Sequence, residues 1–317
     1  MKKYVQAFYM EGERTYFLPI KVTKIGQYNK FCIAAIFVRC SFRELAFLKR
    51  FRFTSNDFLT LVITLKFFLM QLKIYKDYEE LSDHVADEIV STVRNNPNAV
   101  LCLATGHSPQ LAYKLMVQKV IQQKIDFSRV SFIGLDEWVG LPPSNEGTCS
   151  YFLHSLIFND LKINPSQIHL FDALSKDLDK ECEMMNKTII DKGGIDLMIV
   201  GVGMNGHVGF NEPGVPVSYN AHVIDLDETT QTVGQKYFSS PVAITQGITL
   251  GLSQFLQAKK VIMIASGVKK APVMQQALED EIDINMPASI IRKHPNGVVM
   301  VDEEAASLFK SAGAVQK

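Results

Sequence analysis

The chain has 317 residues, of which 47% are hydrophobic, enough for one large α/β domain or two small ones with a sizeable core. Lys plus Arg equals Asp plus Glu at 33 each, and no basic stripe marks a nucleic-acid-binding surface. The balance is uneven, however. Residues 1–69 hold 12 Lys/Arg against 4 Asp/Glu and 11 of the 20 Phe, whereas residues 70–317 hold 21 against 29.

In chain order, the basic, Phe-rich leader 1–69 shows no clear helical or strand period. Its apolar run, 58–70, is short and interrupted by Lys66, too short for a good spanning helix. Two readings stay open: an accessory segment for an acidic surface, or sequence upstream of a start at Met70. The second is preferred, which predicts a leader 1–69 outside the fold and a single domain over 70–317. Residues 71–75 read as a strand. Asp77 and Glu80 resemble a capping box, and Tyr78, Leu81, Val85, Ile89 and Val93 then keep helical spacing. Strands are predicted at 99–104, 130–135, 167–171, 195–200, 221–226, 260–265 and 298–302. Helices are predicted at 109–123, 148–157, 176–192 and 270–278, the third ended by Gly193-Gly194. This alternation predicts an α/β fold: three layers, a mainly parallel twisted sheet with helices on both faces. The five cysteines show no CxxC pair and suit a reducing, cytoplasmic compartment.

Three segments carry chemistry. Ala104-Thr105-Gly106-His107-Ser108-Pro109 joins a strand to a helix start, where free N–H groups and the helix dipole attract phosphate; an ordinary βα turn uses the same residues. Leu135-Asp136-Glu137-Trp138 ends a strand on two carboxylates, one of which could take a proton from carbon. The competing reading, a capping Asp with a solvated Glu, conflicts with Pro142-Pro143, because no helix starts there. The third segment runs from Gly201 to Gly214 and puts five glycines, His207 and Glu212 after an apolar strand. His207 and Glu212, five residues apart, read as an acid–base pair. Gly201-x-Gly203-x-x-Gly206 with Asp225 downstream also fits a dinucleotide fingerprint. Gly209, Pro213, Gly214 and Pro216 oppose the helix that fingerprint needs. Lys236 and Lys270 add cations near predicted helix starts. His84, His154, His169, His222 and His294 are scattered and read as structural. There is no metal-ligand spacing and no G-x-S-x-G elbow.

Together these segments make residues 70–317 resemble the glucosamine-6-phosphate deaminase/isomerase family in its short form, related to the 6-phosphogluconolactonases. The lactonases typically lack the Phe210-Asn211-Glu212-Pro213 continuation. The resemblance implies a Rossmann-like sugar-phosphate isomerase fold. It also implies conversion of a hexosamine 6-phosphate and water to a ketose 6-phosphate and ammonia, without metal or redox cofactor. By it, Asp136 is the base that moves a proton between C2 and C1, while His207 opens the sugar ring with Glu212. Thr105, Gly106 and Ser108 form the phosphate loop, Lys270 binds phosphate, and Lys236 stands where many members have Arg. Asn205 occupies a position that well-known members give to Asp, which puts an acid–base role at Asn205 in question. Trp138 replaces a common Tyr, and the pattern through Gly147-Thr148-Cys149 resembles members assigned to galactosamine 6-phosphate. Alternatives are a lactonase-like hydrolase and a non-catalytic sugar-phosphate sensor. A monomer or small homo-oligomer is expected, with neither nucleic acid nor membrane as partner.

Overall fold

The computed structural model describes residues 4–11, 14–21 and 70–309. Most of the leader, including the apolar run up to residue 69 and Cys32 and Cys40, lies outside the described residues. Within it, β1 (Tyr4–Glu11) and β2 (Arg14–Lys21) pair antiparallel, Tyr4 opposite Lys21 and Glu11 opposite Arg14. The sequence shows no strand period there, but Tyr, Val, Phe, Thr and Ile are strand-forming types even without strict alternation.

From Met70 the elements run β3 (Gln71–Tyr75), α1 (Tyr78–Asn95), β4 (Val100–Leu103), α2 (His107–Gln122), β5 (Ser131–Gly134) and β6 (Asp136–Trp138). Next come α3 (Cys149–Leu153), β7 (Ile168–His169), α4 (Leu178–Asp191), β8 (Leu197–Val200), β9 (His222–Asp225) and α5 (Glu228–Gly234). The last described elements are β10 (Gln246–Thr249), α6 (Leu252–Gln257), β11 (Val261–Ala265), α7 (Ala271–Glu279) and β12 (Gly297–Asp302).

Seven strands form one parallel sheet in the order β3-β12-β11-β8-β4-β5-β7. Alternate residues of each strand enter opposite cores. Val100 and Cys102 pack with Met185, Phe255 and Met274 of α4, α6 and α7. Leu101 and Leu103 pack with Ile89 and Met116 of α1 and α2. Both faces are therefore covered, and the central strands β4, β8 and β11 are apolar without alternation, as the three-layer reading predicts. Truncating a strand residue such as the fully buried Leu101 to Ala would cost about 2–5 kcal/mol.

Local signals explain the element ends. Asp77 Oδ1 accepts the Glu80 N–H at 2.9 Å, but Glu80 reaches back to the Lys76 N–H at 2.7 Å. The capping box is thus displaced by one residue. Leu81, Val85, Ile89 and Val93 are all buried against the sheet. Gly193 and Gly194 close α4 with φ of 82° and 88°, their N–H groups bonding the carbonyls of Ile190 and Ile189.

Two expectations need correction. The strand at 221–226 belongs to a second, antiparallel sheet, β6-β10-β9, rather than to the parallel one. Its middle strand, β10, carries no strong signal, being short and containing Gly247. The strand expected at 167–171 shrinks to Ile168–His169.

The strand order places the functional segments. From β4 the chain moves outward through β5 to β7, and from β8 it moves the other way through β11 to β12. The carboxyl ends of β4 and β8 therefore border the switch point, where open α/β sheets bind ligands. The segments beginning at Ala104 and Gly201 leave those two strands.

Candidate active site

Gly106, φ 106°, turns the chain from β4 into α2. A Cβ there would lie 2.9 Å from the Tyr237 hydroxyl, so the close cover of Tyr237 requires glycine. Two tyrosines set the loop. Tyr113 Oη donates to the Ala104 carbonyl at 2.8 Å, and Tyr78 Oη donates to the His107 carbonyl at 2.8 Å while accepting the Leu111 N–H at 3.2 Å. Gly106 is buried, Thr105 and Ser108 are half-buried, and His107 is exposed at the mouth.

The 201–214 segment forms successive turns; no helix opens at its third glycine. Asp225 is exposed on the small sheet and accepts from Gln246 Nε2 at 2.8 Å. The dinucleotide reading therefore fails for lack of its helix. Gly203 N–H bonds the His207 carbonyl at 2.9 Å, and a Cβ at Gly203 would strike the His207 ring at 2.4 Å. The imidazole thus lies directly over Gly203. Its Nδ1 faces Thr230 Oγ1 at 3.0 Å and Glu212 Oε2 at 3.4 Å. Asn205 Nδ2 donates to the same Glu212 oxygen at 2.8 Å, and Asn205 Oδ1 accepts the His207 N–H at 3.2 Å. Burial pushes Glu212 up, but hydrogen bonds from His207, Thr230 and Asn205 outweigh it and hold the carboxyl below its usual range. Asn205 thereby supplies orientation where a second carboxylate would add repulsion.

Asp136 and Glu137 are adjacent in β6 and alternate in direction. Burial raises the Asp136 carboxyl to about 7, with a hydrogen bond from Cys149 opposing and the Glu137 charge adding. A Cβ on Gly209 would lie 3.5 Å from Asp136 Oδ2, so this carboxylate packs directly against the His207 loop. Glu137 is buried and spoken for. Its Oε1 accepts the N–H groups of Trp138 at 2.9 Å and Cys149 at 3.0 Å, and its Oε2 accepts that of Ser150 at 2.8 Å. It caps α3 from a distance, the helix it serves starting beyond the two prolines, so the competing reading of a solvated glutamate fails on the structure as well. Thr148 completes that start, its Oγ1 accepting the Tyr151 N–H at 3.2 Å.

Lys270 donates to the Val202 carbonyl at 2.5 Å. Burial, then the nearby charge of Lys236, lowers its ammonium to about 8. Lys236 is itself lowered, by burial and by Lys269, and its Nζ lies 4.9 Å above the Tyr237 ring. Two neighbouring cations share this edge with Gly106 through Tyr237. Such a pair favours an anionic ligand. Lys270 is presented by a turn that Asp302 ties down, accepting the Gly267 N–H at 3.0 Å.

The structure thus brings Asp136, His207, Glu212, Asn205, Thr105, Gly106, Lys236 and Lys270 to one sheet edge, with Ser108 on the first turn of α2. Sequence reasoning missed three members: Cys149 between Thr105 and Asp136, Thr230 on His207, and Tyr237 over Gly106. Only Cys149 carried a signal, as the first helical residue after the capping Thr148. Among the described residues, no group of three His, Cys, Asp or Glu could hold a metal ion, and no helix is long and apolar enough to cross a membrane.

The sequence profile of glucosamine-6-phosphate isomerases/6-phosphogluconolactonase matches residues 76–300. A glucosamine-6-phosphate deaminase of Thermoanaerobacter pseudethanolicus is 35% identical over 241 residues, covering 76% of this chain and 95% of the relative. One from Clostridium perfringens is 37% identical over 242 residues, covering 76% and 100%. Among solved structures, a monomeric glucosamine-6-phosphate deaminase matches with a TM-score of 0.73 at 31% identity, covering 75% of this chain and 100% of that one. A 6-phosphogluconolactonase of Trypanosoma brucei matches with a TM-score of 0.62 at 19% identity, covering 75% and 98%, a likeness of fold alone.

Proposed function

Because this chain belongs to the glucosamine-6-phosphate isomerase/6-phosphogluconolactonase family, we propose that it is an amino-sugar 6-phosphate deaminase. It converts a hexosamine 6-phosphate and water to a ketose 6-phosphate and ammonia. The observation that carries this reading is the convergence at one sheet edge of a raised carboxylate at Asp136, the His207–Glu212 pair on the loop packed against it, and two neighbouring lysines.

The phosphate is anchored by the Thr105–Ser108 loop with Lys236 and Lys270. This contact is remote from the reacting carbons and fixes the sugar's orientation. His207, steadied by Glu212, Thr230 and Asn205, moves the proton between O1 and O5 that opens the ring. Asp136 takes the C2 proton and returns it at C1. An imine at C2 results, and water hydrolyses it to the ketone and ammonia. A carboxyl near neutrality suits both halves of that transfer. Asn211 supports the deaminase over the lactonase reading. Buried, it donates to the carbonyls of Val208 and Leu250, both at 2.8 Å, and so shapes the turn that delivers Glu212.

The named activity of the relatives favours glucosamine 6-phosphate. The Trp138 and Gly147-Thr148-Cys149 pattern favours its galacto epimer as a second reading. A panel of hexosamine 6-phosphates scored for ammonia and ketose phosphate together decides. Both products in equal amounts are expected from at least one epimer. Hydrolysis of 6-phosphogluconolactone without ammonia from any epimer would overturn the reading. We also place the leader 1–69 outside the catalytic unit, as the family match beginning at residue 76 supports. A chain of residues 70–317 that cannot fold or turn over, when the full chain can, would refute that.

A further inference from the structure

We propose that Cys149 is a positioning residue for Asp136, linking the phosphate loop to the base. The inference rests on the reading of Asp136 as the carbon base. The thiol is buried and otherwise unused by the mechanism. Thr105 Oγ1 donates to Cys149 Sγ at 3.0 Å, and Cys149 Sγ donates to Asp136 Oδ1 at 3.4 Å. A hydroxyl, a thiol and a carboxylate thus form one hydrogen-bonded row from the phosphate loop to Asp136.

The row is built. Glu137, the residue beside the base, grips the N–H groups of Cys149 and Ser150. Strand alternation sends Glu137 away from Asp136, and the helix it caps returns Cys149 to Asp136. One carboxylate of the pair therefore sets the partner of the other. With Oδ1 engaged by sulfur, Oδ2 is the oxygen left beside Gly209, on the side of the His207 loop. The thiol orients the carboxylate plane and selects which oxygen meets the substrate.

Other groups face Asp136 too. Glu137 lies beside it, and Cys102 of β4, Tyr113 of α2 and Tyr237 after α5 feel its charge. None of these is a cation, so the Cys149 hydrogen bond works against burial in stabilising the ionised form. A thiol is a weak donor, but its acceptor is charged. Losing it should raise the Asp136 midpoint by roughly one pH unit.

The test is an infrared titration of the Asp136 carboxyl in the full chain, isolated as the difference from Asp136→Asn. Cys149→Ala should move the midpoint up, and Cys149→Ser, which keeps a donor, should bring it back part of the way. The acid limb of kcat should follow the same order, a pattern that loss of packing alone does not produce. An unmoved midpoint in Cys149→Ala overturns the proposal. A moved midpoint in a chain that releases no ammonia from any hexosamine 6-phosphate sustains the contact and overturns the deaminase reading instead.

Discussion

Strand β6 and the 201–214 loop each hold a carboxylate at the same edge of the parallel sheet, and they treat it in opposite ways. Asp136 is enclosed with a thiol donor and a second carboxylate for company, and it is pushed up to about 7. Glu212 is buried too, but His207, Thr230 and Asn205 surround it with polar groups and hold it down. The residue types are nearly the same; the neighbours differ. One group is left able to take and return a proton near neutrality, and the other is kept charged to support an imidazole. Pairs of carboxyls driven apart in this way mark divided acid–base labour.

The strongest way to break the contrast is Asp136→Asn. It keeps size and removes the proton acceptor, so kcat should fall by about 10²–10⁴-fold. Exchange of the C2 proton with solvent should stop as well. A variant that still exchanges at the wild-type rate would place the base elsewhere. The same change should stabilise the fold. A folded-state pKa raised from 3.8 to about 7 means that ionising Asp136 costs stability as pH climbs between those values. Asn has no such cost, so chemical denaturation at pH 8 should show a gain on the order of 4 kcal/mol that vanishes below about pH 4.

On the other carboxylate, Glu212→Gln should lower kcat by roughly 10², the lower end of acid–base effects, because His207 survives. Its acid limb should stay near the wild-type position, since that limb belongs to Asp136; a limb that moves with Glu212 would reverse the assignment. Lys270→Ala tests the anchor. Loss of a charge-assisted contact to a dianion should raise KM about 10–100-fold with a smaller change in kcat, and steady-state kinetics showing an unchanged KM would remove Lys270 from the site. The gentlest probe is pH. The free enzyme needs Asp136 ionised and Lys270 protonated, so kcat/KM should rise through about 7 and fall through about 8. Lys270→Arg should remove the alkaline fall, because an arginine stays charged there.

The parallel sheet was legible because its central strands β4, β8 and β11 are short, apolar, fully buried runs. The pocket was legible because its loops follow those runs. Pro213, Gly214 and Pro216 were enough to reject the dinucleotide helix. What escaped depends on contacts distant in sequence. Glu137 looked surplus because the N–H groups it serves belong to Cys149 and Ser150, beyond a loop with two prolines. Thr230 and Tyr237 lie in segments with no strong period, and only tertiary packing brings them to His207 and Gly106. The small sheet escaped because β10 is four residues long and β9 has none of the burial that marks a core strand.

Only Leu135 separates β5 from β6. Its carbonyl accepts the Leu250 N–H at 2.8 Å, so the run from Ser131 to Trp138 passes from one sheet into the other without a loop. A strand assigns its side chains by odd and even count. Which of the two acidic residues meets the substrate and which grips the helix is therefore a matter of reading frame along the fold. Adding or deleting one residue between Gly134 and Asp136 would exchange their posts: the glutamate would enter the pocket, the aspartate would fall short of α3, and composition alone would give no sign of the change.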